Sequence, residues 1–256
     1  MGIWDDIKPG EQKPIITTEQ RPDFALCMIH QELVSMEWAM MFRLMQLPSH
    51  YYFFSRKAPY DIAREETVEG ALAQNPKYLF FLDSDTKPLA TDAVMQLIRL
   101  SEENNIDILS GLYWAKKDQK QPAAWRIVQY DGFIPKIFPI DITQDNIDKK
   151  AIIKCDVIGL GFCLVRSSVF KKWREKWPDR PFFRWGLGLK DKELRALCDV
   201  YTKTAEGVKA TSEDFNFFIG CKELGIYPHV AIEIICDHIA WAKLDARTGD
   251  YRLLEY

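Results

Sequence analysis

The sequence contains no uncharged apolar run of the ~20 residues that a membrane-spanning helix needs. Residues 24–45 come closest, but Glu32, Glu37 and Arg43 interrupt them, so no transmembrane segment is expected. No excess of positive charge exists either. Lys and Arg number 34 against 37 Asp and Glu, a formal charge of −3, and dedicated nucleic-acid binders show the opposite balance. Basic character is confined to local groups such as Lys116, Lys117 and Lys120. Cysteine is sparse and unpatterned. The six (Cys27, Cys155, Cys163, Cys198, Cys221, Cys236) include no Cys-x-x-Cys, which excludes a dense disulfide scaffold and predicts reduced thiols in a cytoplasmic protein. Cys27 and Cys163 sit in apolar runs and read as core residues. The start, Met1-Gly2-Ile3-Trp4-Asp5-Asp6, lacks a basic end followed by an apolar stretch, so no signal peptide is expected. Internal repeats and low-complexity tracts are also missing.

What is present is a core. With 47% hydrophobic residues over 256 positions, the chain is too apolar for disorder and long enough to bury a sizeable interior. Residues 1–22, polar and carrying Pro9, Gly10, Pro14 and Pro22, read as an arm. Residues 23–241 read as one domain and 242–256 as a tail. In the first half, apolar runs at 24–29, 51–54, 78–82 and 106–112 predict strands. Helical composition at 32–47, 60–73 and 92–104 alternates with them, with Thr91 as a cap for the third helix. This alternation predicts an α/β fold with a mostly parallel central sheet flanked by helices. The second half changes character. Segments 123–128 and 133–140 flank Asp131-Gly132, a hairpin signal, so a smaller antiparallel element is expected there. Residues 152–165 form an apolar run broken by Gly159 and Gly161, and glycine in a strand marks a bulge or a close approach. Helices are predicted at 167–177 and from Ser212 to Leu224, the latter stopped by Gly225. A last strand is predicted at 230–236.

Four places carry candidate chemistry. Tyr78-Leu79-Phe80-Phe81-Leu82 runs into Asp83-Ser84-Asp85-Thr86. In an open α/β sheet, ligands sit beyond the carboxyl ends of strands, and two carboxylates placed there suit a hard divalent cation that bridges to a diphosphate. Acidic caps on a strand-to-helix turn would account for the same residues. Ile158-Gly159-Leu160-Gly161-Phe162 is a glycine-bearing strand. Glu213 and Asp214 open a helix, where acids also simply favour the helix dipole. His238 follows the last strand and reads equally as a buried structural histidine.

Taken in this order, with Ile62-Ala63-Arg64 ahead of them, these segments resemble the nucleotide-diphospho-sugar glycosyltransferases of the GT-A fold, family-2-like members in particular. The resemblance spans roughly residues 24–240. It implies a Rossmann-like GT-A sheet with a nucleotide-binding half (23–115) and an acceptor half (116–241). It further implies a nucleotide-diphosphate sugar donor, UDP- or GDP-linked, a hydroxyl acceptor, and Mn²⁺ or Mg²⁺ held by Asp83, Asp85 and His238. Asp83 would also serve the donor ribose, and Arg64 the nucleotide. Glu65 follows Arg64 where the family often has asparagine. Asp214, with Glu213 as the alternative, would be the base of an inverting transfer. His30, Ser55 and Arg56, at the ends of the first two strands, are candidates for base and ribose, and Lys243 for a second positive charge. On the acceptor side, Gly161 and Trp185 are the candidates, Trp185 chosen from a cluster with Trp173, Trp177, Phe182 and Phe183. A sugar-nucleotide nucleotidyltransferase is the rival enzyme, but Ile29-His30-Gln31-Glu32 lacks its glycine-rich basic phosphate loop. A non-catalytic nucleotide-sugar-binding protein is the third reading, since fold alone never proves activity.

Overall fold

The computed structural model describes residues 22–29, 34–55, 59–115, 121–131, 134–184, 212–239, 242–244 and 251–253. The first half runs β1 (Phe24–Ile29), α1 (Met36–Leu44), β2 (His50–Ser55), α2 (Tyr60–Leu72), β3 (Tyr78–Asp83), β4 (Thr86–Pro88), α3 (Ala93–Glu103) and β5 (Ile108–Leu112). The second half adds β6 (Ala124–Asp131), β7 (Ile134–Pro139), α4 (Gln144–Asp148), β8 (Ile152–Lys154), β9 (Val157–Ile158), β10 (Phe162–Arg166), α5 (Ser167–Lys176), α6 (Glu213–Glu223), β11 (His229–His238), β12 (Ala242–Leu244) and β13 (Tyr251–Leu253).

Eight strands form one sheet in the order β2-β1-β3-β10-β5-β11-β4, with β8 also on β11. Its period-two side chains divide between two cores. From β3, Leu79 and Phe81 join Val68 of α2, Phe170 and Trp173 of α5 and Phe217 of α6 on one face. Tyr78, Phe80 and Leu82 join Trp38 of α1 and Val94 and Leu97 of α3 on the other. Helices therefore cover both faces, as the alternating pattern predicts. The parallel character is only partial. The pairs β1–β2, β1–β3 and β5–β11 are parallel, whereas β10 lies antiparallel between β3 and β5, and β4 and β8 are antiparallel to β11. A separate three-stranded sheet, β7-β6-β9, is antiparallel and contains the hairpin expected around Asp131-Gly132.

Local details also depart from the sequence reading. Asp92, not Thr91, occupies the N-cap of α3, and no side-chain cap bond forms there. The run 152–165 is three strands, interrupted around Gly159 and Gly161. Residues 242–256, expected as a plain tail, include an antiparallel pair, β12 with β13. Gly225 does end α6. At φ 74° it donates its N–H to Lys222 O, and Ile226 donates to Cys221 O, a Schellman closure that favours glycine. Cys27, Cys155, Cys163, Cys221 and Cys236 are buried free thiols; Cys198 lies outside the described residues. Among those residues no helix is long and apolar enough to cross a membrane.

Candidate functional site

Three pieces of chain meet where β3 ends. The backbone leaves β3 at Asp83, turns through Ser84 and Asp85, and returns as β4. That short strand pairs antiparallel with the end of β11, setting Thr86 opposite His238. Ile239 N–H donates to Asp85 O at 2.6 Å, and Asp83 N–H donates to Gly161 O at 2.9 Å. Distant segments are thereby stitched to one turn. His238 Nε2 comes to 3.6 Å from Asp85 Oδ1. A cleft of about 370 Å³ opens here, lined among others by Asp83, Tyr113, Trp125, Gly161, Asp214 and His238.

The His238 tautomer follows from its second nitrogen. Nδ1 lies 2.8 Å from the carbonyl of Trp114, which only accepts, so Nδ1 carries the proton. In the neutral ring, Nε2 then presents a lone pair toward Asp85, an arrangement in which an outer hydrogen bond fixes a ligating imidazole. A lone pair and a carboxylate oxygen at that separation call for a proton or a cation between them. Two ligands of one Mn²⁺ or Mg²⁺, each bonded at about 2 Å, can span such a gap, and mixed oxygen and imidazole donors suit Mn²⁺.

Asp83 is oriented differently. Its Oδ2 accepts from Arg64 Nη2 at 3.0 Å, while its Oδ1 is shut off from solvent with no hydrogen-bond partner. Asp83 and His238 line one cleft and Asp85 stands beside His238, but among the described residues no group of three or more His, Cys, Asp or Glu side chains is arranged to hold a metal. Asp85 and His238 form a ready pair, and Asp83 supplies an unsatisfied carboxylate oxygen nearby.

Arg64 is the centre of a buried charge cluster. Besides Asp83, its Nε lies 3.3 Å from Glu213 Oε1 and 3.3 Å from Asp214 Oδ1, and its side chain is 4% exposed. Burial opposes its charge, but Asp83, Asp214 and Glu213 outweigh it and raise its pKa well above the ordinary arginine value. The sequence reading gave Arg64 a nucleotide contact. The structure pairs it with three carboxylates, and it is not among the residues lining the cleft. One guanidinium facing three carboxylates leaves the site rich in negative charge. Burial pushes the Asp214 carboxyl up to about 8; Arg64 opposes the shift, and Glu213 and Asp83 add to it. Asp83 moves up for the same leading reason, desolvation. Asp214 Oδ2 accepts from Leu160 N–H at 3.2 Å, which ties the helix-start acid to the glycine-flanked segment.

The glycines have a steric explanation. A Cβ on Gly159 would lie 2.2 Å from the Tyr113 hydroxyl, and one on Gly161 would lie 2.5 Å from Thr86 Oγ1. Gly161 N–H donates to Tyr113 Oη at 3.0 Å. Gly161 lines the cleft, and its missing Cβ lets the start of β10 approach the acid turn. Tyr113 and Trp125 belong to no motif in the sequence, and Thr86 stands there only as the end of the acid turn. Tyr113 follows β5, so the strand-end logic that found Asp83 would have found it too.

The remaining candidates separate. Ser55 is buried at the end of β2 and is not among the residues lining the cleft. His30, Arg56 and Trp185 lie outside the described residues, as does the side chain of Lys243. Trp173, Phe182 and Phe183 are fully buried core, with Trp177 packed against them. Glu65 accepts from the N–H groups of Phe182 and Phe183 at 2.9 and 3.0 Å, which accounts for an acid beside Arg64.

A scan against protein-family models finds no match, and a search of curated proteins finds none. Among solved structures, A197 from STIV is similar to this chain, with a TM-score of 0.49, 14% sequence identity, and coverage of 91% of this chain and 94% of that one.

Proposed function

We propose that the protein is a divalent-cation-dependent glycosyltransferase of GT-A type, moving a sugar from a UDP- or GDP-linked donor to a hydroxyl acceptor with inversion. One observation supports this above the others. A cleft at the end of a central strand is lined by Asp83 with an unsatisfied carboxylate oxygen, by Asp214 and by His238, which lies 3.6 Å from Asp85, while the buried Arg64 pairs with Asp83 and Asp214. Such a site favours a bound cation, and a nucleotide-sugar transfer needs one to stabilise the leaving diphosphate. Asp85 and His238, with Asp83, would hold Mn²⁺ or Mg²⁺, which when bound neutralises the charge that grows on the departing diphosphate.

The chain's own residues do the rest. The acceptor oxygen bonds to the anomeric carbon as the bond from that carbon to the diphosphate breaks, its electron pair leaving with the diphosphate. The acceptor proton passes to Asp214, whose Oδ2 accepts from Leu160 N–H and whose Oδ1 lies 3.3 Å from Arg64 Nε. Glu213 is more buried than Asp214 and acts with Arg64 to hold it in place. The indole of Trp125, in the cleft wall, offers an apolar face to a sugar.

The test is nucleotide release from a panel of UDP- and GDP-sugars, with and without Mn²⁺. Cation-dependent release is expected. Removing a positioned base costs ~10²–10⁴-fold in rate, so Asp214→Asn should lose that much acceptor-dependent turnover and still bind Mn²⁺. Absence of release from every donor, or synthesis of a nucleotide sugar from a nucleoside triphosphate and a sugar phosphate, would overturn the reading. A product that retains the donor's anomeric configuration would remove Asp214 from the role of base.

A further inference from the structure

We propose that Trp38 is a positioning residue for the cation site, clamping the Asp83–Thr86 turn through its indole N–H. This rests on the cation-binding reading above. Trp38 Nε1–H donates to Asp83 O at 3.1 Å and to Thr86 O at 3.0 Å. Those two carbonyls bracket the turn that carries Asp85. A single donor shared between them draws both ends of the turn toward one point and satisfies two backbone acceptors at once.

The clamp is itself rigid. Ser35 caps α1 by accepting from Trp38 N–H at 3.0 Å, which fixes the backbone from which the indole projects. The ring is buried, 6% exposed, and stacks on Phe42 at 5.1 Å with planes 6° apart. The other ties on the turn come from Gly161, which lines the cleft, and from Ile239, next to His238. Trp38 has no place in the cleft wall and reaches the cation ligands only through the main chain. Its effect is to hold Asp85 Oδ1 and His238 Nε2 at a spacing one ion can bridge. Outer partners of this kind set ligand geometry, and their loss typically weakens metal binding ~10–100-fold.

The alternative is a core tryptophan that merely finds acceptors for its N–H, and Mn²⁺ binding separates the two. Free Mn²⁺ is titrated by electron paramagnetic resonance against the full chain, alone and with UDP or GDP. Trp38→Phe keeps an aromatic ring but removes the donor. Replacement of Trp38 by 3-benzothienylalanine keeps the bicyclic shape and removes only the N–H, so it carries the test if the phenylalanine variant does not fold. Both should raise the Mn²⁺ Kd ~10–100-fold. Phe42→Leu, which loosens the stack and keeps the donor, should lower Tm and leave Kd within about twofold. An unchanged Kd in the benzothienyl variant overturns the clamp alone. No Mn²⁺ binding by the unaltered protein under any of these conditions would overturn the cation reading itself, and the clamp with it.

Discussion

Asp83 and Asp85 leave β3 in a turn whose backbone is tied to Gly161, Ile239 and Trp38. Glu213 and Asp214 open α6 without a side-chain cap from Ser212, and their carboxylates are held chiefly by Arg64. In sequence the two pairs look alike, two acids at the end of an element. In space the first is a main-chain construction that sets Asp85 facing His238. The second is a side-chain construction in which charge balance does the holding. A backbone-held acid keeps its place when its charge partner changes. A charge-held acid does not.

The largest effect should come from removing the shared cation. Arg64→Met strips the counter-charge from three carboxylates, and breaking a buried ion pair by deleting one partner costs ~3–5 kcal/mol. Urea unfolding should show that loss. Arg64→Lys restores one charge without the planar fork and should recover only part of it. Equal stability of Met and unaltered proteins would show that the second pair, too, is held by its backbone.

Next comes pH. Asp214 has its folded pKa raised to about 8, above an unfolded aspartate near ~3.9. Between those values the native state binds more protons than the unfolded one, so stability falls as pH rises through that window. Asp214→Asn should flatten the decline between pH 5 and pH 8. With the cation supplied, the same group, acting as the base, should make kcat/KM rise with pH to a plateau. A decline as steep in the variant as in the unaltered protein would assign the slope to Asp83.

Gly161→Ala probes the backbone-held side. Its Cβ would fall 2.5 Å from Thr86 Oγ1, forcing the strand and the acid turn apart at a cost of ~1–3 kcal/mol. Mn²⁺ binding should weaken with it. The smallest effect distinguishes the caps. Ser35→Ala loses the hydrogen bond to Trp38 N–H, worth ~1 kcal/mol. Ser212→Ala loses no side-chain cap and should stay within ~0.5 kcal/mol. A larger loss at Ser212 would mean that α6 depends on more than its acids.

Much of the frame is legible along the chain. The strands at 24–29 and 78–82 are apolar at nearly every position because helices cover both faces of the sheet. Asp131-Gly132 announces its hairpin, and Gly225 its helix stop. Other features had no local signal. β4 is three residues long, too short for periodicity. The interruption at Gly159 and Gly161 depends on what the chain meets there, the hydroxyls of Tyr113 and Thr86. Trp173, Phe182 and Phe183 resemble a binding cluster in sequence but are core in space.

Residue type and order settled which acids stand at element ends and that a histidine comes just after the last apolar run, while the structure carries that strand on to His238 itself. Only the tertiary structure decided who faces whom. Pairing of β4 with β11 puts His238 beside Asp85, and packing of α2 under the sheet turns Arg64 toward Asp83, Glu213 and Asp214. Charge interactions depend on separation and on the surrounding dielectric, and both are properties of the assembled fold that no stretch of sequence carries by itself.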